Sequence, residues 1–88
     1  MTRASQIAAL LENHFSPTAL KVEDDSHKHA GHAGANPSGG SHIRIHITAE
    51  AFREKARVAR HRMVYEALEG HFAEGLHALQ ISAKSPGE

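Results

Sequence analysis

Nine histidines and no cysteine set the terms for any chemistry this chain can do. Three of the histidines, His27, His29 and His32, sit in a His-x-His-x-x-His pattern within a Gly-rich segment. Imidazole suits zinc, copper, nickel and iron, and a Gly-rich loop lets several rings converge on one ion. No Cys or carboxylate follows at ligand spacing, so a closed structural zinc site is not expected, and one loop histidine combined with the distant His77 is the better pair. By spacing alone, the reading of His77 as a strand-end histidine bonded to a neighbouring backbone is the stronger one. A second cluster, Arg60-His61-Arg62, places three polar groups on consecutive helical positions. Two guanidinium forks so close suit a phosphate, a carboxylate or an acidic partner, unless Arg62 simply pairs with Glu66 one turn on.

Other chemistries find little support. Without thiols there is no cysteine nucleophile, disulfide or thiolate ligand. The chain has no nucleophile elbow, Walker loop or dinucleotide glycine fingerprint, and Asp24-Asp25 reads as a strand terminus; the expectation is a non-enzyme. Ten basic residues balance ten acidic ones, so net charge gives no argument for a nucleic-acid partner, and any such site must be a local patch. Each histidine can charge between about pH 5 and 8, so mild acidification makes a neutral chain cationic. Gly31-His32-Ala33-Gly34 matches the G-x-x-G that KH domains use to clamp a nucleic-acid backbone. It lies between two strands, however, whereas that clamp joins two helices. No apolar run reaches membrane-spanning length and no signal-peptide core is present, so a soluble, cytoplasmic protein is expected.

Eighty-eight residues suffice for one aliphatic core, and the expectation is one domain over residues 1–88. Ile7, Leu10, Leu11 and Phe15 recur at helical spacing, with Thr2 or Ser5 as cap and Ser16-Pro17 as stop. Residues 19–24 alternate as a short strand, Leu20 and Val22 inward. Residues 26–41 form a long, mobile loop, a length usually tied to function. In residues 42–47, Ile43, Ile45 and Ile47 point one way and His42, Arg44 and His46 the other. Thr48 caps a short helical turn that buries Phe52. A longer helix, from about Lys55 or Val58 to Phe72, carries Val64, Ala67, Leu68 and Phe72, and Gly75 ends it. His77, Leu79, Ile81 and Ala83 share one face of a last strand, and a disordered tail occupies about 85–88. The order is α-β-β-α-α-β. It predicts an α+β fold with a three-stranded mixed sheet, helices on one face, and a last strand parallel to its neighbour.

Taken together, residues 24–32, Ser41-His42-Ile43, Ala51-Phe52, Val58-Ala59-Arg60-His61-Arg62-Met63-Val64-Tyr65 and Leu76-His77-Ala78-Leu79 resemble the BolA family. The Arg-His-Arg helix combined with the His-Ala-Leu strand is the specific part, and the match runs from the first helix almost to residue 88. The resemblance implies a class II KH-like fold. It also implies partnership with a monothiol glutaredoxin around a shared [2Fe–2S] cluster, with none expected in the isolated protein. His77 would then be one ligand and His29 the other, with His32 or His27 as loop alternates; thiolates would come from glutaredoxin and glutathione. Imidazole in place of thiolate removes negative charge and raises the reduction potential. Arg60, His61 and Arg62 would form the docking surface. The family's second implied role is transcriptional regulation of morphology and stress genes, here through DNA contacts from Arg53, Arg57, Arg60 and Arg62. A free-standing metal or haem site in the His27, His29, His32 loop is the third reading. One departure is the turn into the long helix, Phe52-Arg53-Glu54-Lys55 where many members have Phe-x-Gly-Lys.

Overall fold

Helix α1 (Arg3–Phe15) forms because its ends and its stripe agree. At the start, Thr2 Oγ1 accepts the Ser5 N–H at 3.1 Å and Ser5 Oγ accepts the Thr2 N–H at 3.1 Å, a reciprocal capping box. Both sequence candidates for the cap are therefore used, and the helix starts two residues before Ser5. At the other end, Ser16 takes a left-handed conformation (φ 48°) while its N–H returns to Glu12 O, and Pro17 forbids continuation. Ile7, Leu11 and Phe15 lie one turn apart on the buried side. Fully burying each such side chain stabilises by about 1.5–3 kcal/mol.

The computed structural model describes residues 2–24, 42–76 and 78–88. Within these, β1 (Ala19–Asp24) pairs antiparallel with β2 (His42–Thr48), which pairs parallel with β3 (Ala78–Lys84) on its other side. The register aligns Leu20, Ile47 and Ala83 in one row and Val22, Ile45 and Ile81 in the next. One face of the sheet is thus aliphatic, and Ile43, Ile45 and Ile47 at its centre are at most 2% exposed. The opposite face is polar: Arg44 Nε donates to Gln80 Oε1 at 3.2 Å, and His46 Nε2 lies 3.4 Å from Glu23 Oε1. The expected α+β architecture and mixed sheet are what the structure has. The long loop expected over residues 26–41 lies outside the described residues.

The β2-to-β3 crossover differs in detail from the sequence expectation. Thr48 is the last residue of β2, so it does not cap the following turn; a 3-10 turn spans Glu50–Phe52 with Ala49 before it and no side-chain cap. Ala49 is held instead by its N–H to Lys84 O at 2.9 Å, which ties the turn to β3 and buries Phe52 completely. The expected single long helix is two, α2 (Arg57–Ala67) and α3 (Glu69–Ala73). Leu68 leaves helical geometry (ψ 10°) with its N–H shared between Val64 O and Tyr65 O. The apolar spacing Val64, Leu68, Phe72 runs straight through this joint, so periodicity alone does not mark it. Gly75 (φ 114°) then turns the chain toward β3, as its position suggests.

The segment 85–88 is no disordered tail: Ser85 is 3% exposed, and the Glu88 N–H closes a turn onto Ser85 O at 3.2 Å. At the turn into α2, Glu54 adopts φ 63°. This is the position where the resemblance expects glycine, so the left-handed geometry survives without it. A non-glycine residue there carries strain of about 1–2 kcal/mol. Glu54→Gly is expected to raise stability by about 0.5–1 kcal/mol in urea unfolding, strain relief minus the entropic cost of glycine.

Candidate functional site

The residues singled out by sequence divide sharply once α2 is in place. His27, His29, His32 and His77, the candidate metal ligands, lie outside the described residues. What the structure fixes is where their chain neighbours stand. Asp24, after which the first three follow, is opposite Ile43, and Ala78, which His77 precedes, is the register partner of His42. The segment after β1, the segment before β2 and the residue before β3 therefore attach at one end of the sheet, with adjacent strands about 4.8 Å apart. Among the described residues, no group of three or more His, Asp or Glu side chains is placed to hold a metal.

Arg60, His61 and Arg62 point to different surroundings, as consecutive helical positions must. Arg60 turns inward across the end of β3. Its Nε donates to Lys55 O at 2.9 Å and its Nη1 to Ala83 O at 3.0 Å, while Nη1 and Nη2 meet the two carboxylate oxygens of Glu88 at 2.7 Å each. Ser85 donates to the same carboxylate from its N–H at 3.3 Å and from its hydroxyl. This is a bidentate fork reinforced by neutral donors, and it joins α2, β3 and the following turn. His61 is half-buried beside it, as expected for a residue near the helix–sheet contact, whereas Arg62 is exposed and forms no ion pair with Glu66.

The Arg60 and Ser85 hydrogen bonds hold the Glu88 carboxyl down to about 2, from an ordinary value of 4.5. A depressed carboxylate contributes stability above its unfolded value and loses it as pH falls through its folded value. The stability difference between wild type and Glu88→Gln should therefore be constant above about pH 4.5, shrink below it, and vanish near pH 2. Chemical denaturation at stepped pH measures this; a difference that persists unchanged at pH 2 would contradict the pairing.

The four arginines proposed for DNA contact do not form one free surface. Arg53 donates to both carboxylate oxygens of Glu50 and, at 3.2 Å, to Pro86 O. That hydrogen bond lowers the Glu50 carboxyl and raises the Arg53 guanidinium. Arg60 is engaged with Glu88, which likewise raises its guanidinium. Arg57 and Arg62 are exposed, and among the described residues neither side chain has a hydrogen bond or ion pair. They stand five positions apart on α2, about 140° around its axis.

Sequence reasoning missed two things. One is Glu88 as the partner of Arg60; the Ser85-Pro86-Gly87-Glu88 turn signal was legible, but the contact spans 28 positions. The other is Arg3, whose Nη1 lies 3.0 Å from His71 Nδ1 and whose Nη2 donates to Glu74 O at 2.7 Å. It locks the start of α1 to the end of α3, just before the turn into β3.

No helix among the described residues is long and apolar enough to cross a membrane. Comparison with known proteins gives a consistent result. A BolA-like protein family model matches residues 11–88. SufE-like protein 1, chloroplastic/mitochondrial, of Arabidopsis thaliana is 42% identical over 91 residues, 99% of this chain but 24% of that protein's length. The UV-induced protein uvi31 of Schizosaccharomyces pombe is 38% identical over 92 residues, covering all of this chain and 90% of the relative. The solved BolA domain of SufE1 from Arabidopsis thaliana superposes with a TM-score of 0.87 at 41% identity, covering 98% of this chain and 94% of that one. With its helix order, mixed sheet and 78 matched positions from 11 to 88 in agreement, the chain belongs to the BolA-like family.

Proposed function

We propose that this BolA-like protein is a non-enzymatic, cytoplasmic partner of a monothiol glutaredoxin that donates imidazole to a shared [2Fe–2S] cluster. The observation that carries the reading is the sheet register. Asp24, His42 and Ala78, the chain neighbours of the loop histidines and of His77, meet at one end of a single sheet. A cysteine-free chain fits a shared site, because the partner and glutathione supply the thiolates and this chain supplies neutral imidazoles. Kinship with SufE-like protein 1 supports an iron–sulfur-related role. In this division of labour, His77 and His29 (with His32 or His27 as alternates) are the ligands, and the exposed Arg62 with half-buried His61 offers the docking surface. When bound, the cluster would supply electron or cluster transfer at a potential raised by imidazole ligation.

The test is to mix cluster-loaded monothiol glutaredoxin and glutathione with this protein and follow visible absorption and circular dichroism. The reading expects a new spectrum that saturates at a fixed stoichiometry. A spectrum unchanged at excess protein would overturn it.

A further inference from the structure

Between the start of α2 and the end of β3 lies a cavity of about 370 Å³ lined by Lys55, Arg57, Arg60, His61, Lys84 and Glu88. In a chain of zero net charge, four cationic side chains here face one carboxylate. Arg60 alone pairs with that carboxylate. Lys55, Arg57 and Lys84 have no hydrogen bond or ion pair from their side chains among the described residues. Such an uncompensated excess in a concave, partly walled site focuses its field on whatever enters.

The carboxylate itself shows what the cavity accepts. Glu88 receives the Arg60 fork, the Ser85 N–H and the Ser85 hydroxyl. Guanidinium, hydroxyl and backbone amide are the donor set that tetrahedral and planar oxyanions require. The first turn of α2 lies beside the cavity: Ala56 provides no side-chain cap, and the 11-residue helix begins between the lining residues Lys55 and Arg57, so its positive end is close by. We propose that the cavity is a binding site for a small dianion of the phosphomonoester class, whose place the Glu88 carboxylate holds in the free protein. With Glu88 displaced, four cations face the ligand; a doubly charged group matches them better than a singly charged diester, and a volume of this order admits a small organic phosphate. Binding swings Glu88 out and transfers the Arg60 fork to the phosphate, with Lys84 and Arg57 closing over it. Its binding chemistry needs neither glutaredoxin nor the loop histidines, although its wall shares His61 with the proposed docking surface.

Titration of the isolated full chain with methyl phosphate, followed by amide and Arg Nε NMR shifts at constant ionic strength, tests the assignment. Saturable shifts are expected at Arg57, Arg60 and Ser85. Glu88→Gln, which removes the competing charge, should tighten binding about tenfold, and Lys84→Gln, which leaves the Arg60–Glu88 pair intact, should weaken it about tenfold. Dimethyl phosphate, singly charged, should bind at least about tenfold more weakly than methyl phosphate. Unsaturable shifts scattered over the surface, no tightening in Glu88→Gln, or equal binding of the two phosphates would each overturn the proposal.

Discussion

Phe52→Ala is expected to cost about 3–5 kcal/mol, the range for removing a fully buried aromatic ring. Phe52 is 0% exposed and sits in the 3-10 turn that links β2 to α2. Its ring centroid lies 5.1 Å from that of Phe15 at the end of α1, so one side chain bridges the first helix and the crossover. The neighbours that would have to collapse into the cavity are fixed by the sheet register and by the Ala49 N–H bond to Lys84 O. Little relaxation is available, which places the cost toward the upper end. Domains of this size have roughly 5–15 kcal/mol in total, so the variant should unfold at much lower urea. Val58→Ala is the control: Val58 is 68% exposed and its loss should stay within about 0.5 kcal/mol. A Phe52→Ala cost below about 1 kcal/mol would mean that the turn is not part of the core.

The second large effect concerns His77. If its imidazole is a ligand, His77→Ala should weaken the mixed cluster complex by about 100-fold or more, beyond the ~10–100-fold typical of losing a group that only orients a ligand. Fold stability should hardly change, because Leu76 and Ala78 on either side keep their own contacts: Leu76 is 4% exposed in the core, and Ala78 remains in register with His42. The separation of the two readouts matters. Urea unfolding of the variant alone reports the fold, and spectral titration with cluster-loaded glutaredoxin reports ligation. Single replacements of His27, His29 and His32 then identify the loop ligand, which should be the one replacement matching His77→Ala in size.

Much of this fold was legible because alternation and turn chemistry act locally. The strand of Ile43, Ile45 and Ile47, the stripe of Ile7, Leu11 and Phe15, and the Thr2 cap each follow from a few adjacent residues. The joint at Leu68 was not legible, since the apolar spacing continues unbroken across it. Glu54 shows the reverse case: the missing glycine suggested a changed turn, yet the turn keeps a glutamate at φ 63°, flanked by the Arg53 N–H bond to Glu50 O and the Lys55 N–H bond to Phe52 O. For the site, residue types pointed to the arginines but could not say which were free. Arg53 and Arg60 are engaged by Glu50 and Glu88, and the second of these contacts depends on a parallel strand bringing residue 88 beside residue 60. Long-range pairing of that kind has no local sequence signal.

The central claim is that nitrogen from this chain ligates the shared cluster, and isotopic labelling reads it directly. This protein, with only its histidines carrying ¹⁵N, would be mixed with unlabelled cluster-loaded glutaredoxin and glutathione, reduced, and examined by pulsed electron paramagnetic resonance. The account predicts a strong ¹⁵N coupling that shifts to ¹⁴N with unlabelled protein and is lost or halved in His77→Ala. A reduced cluster with no ¹⁵N coupling in a complex that has demonstrably formed would contradict it.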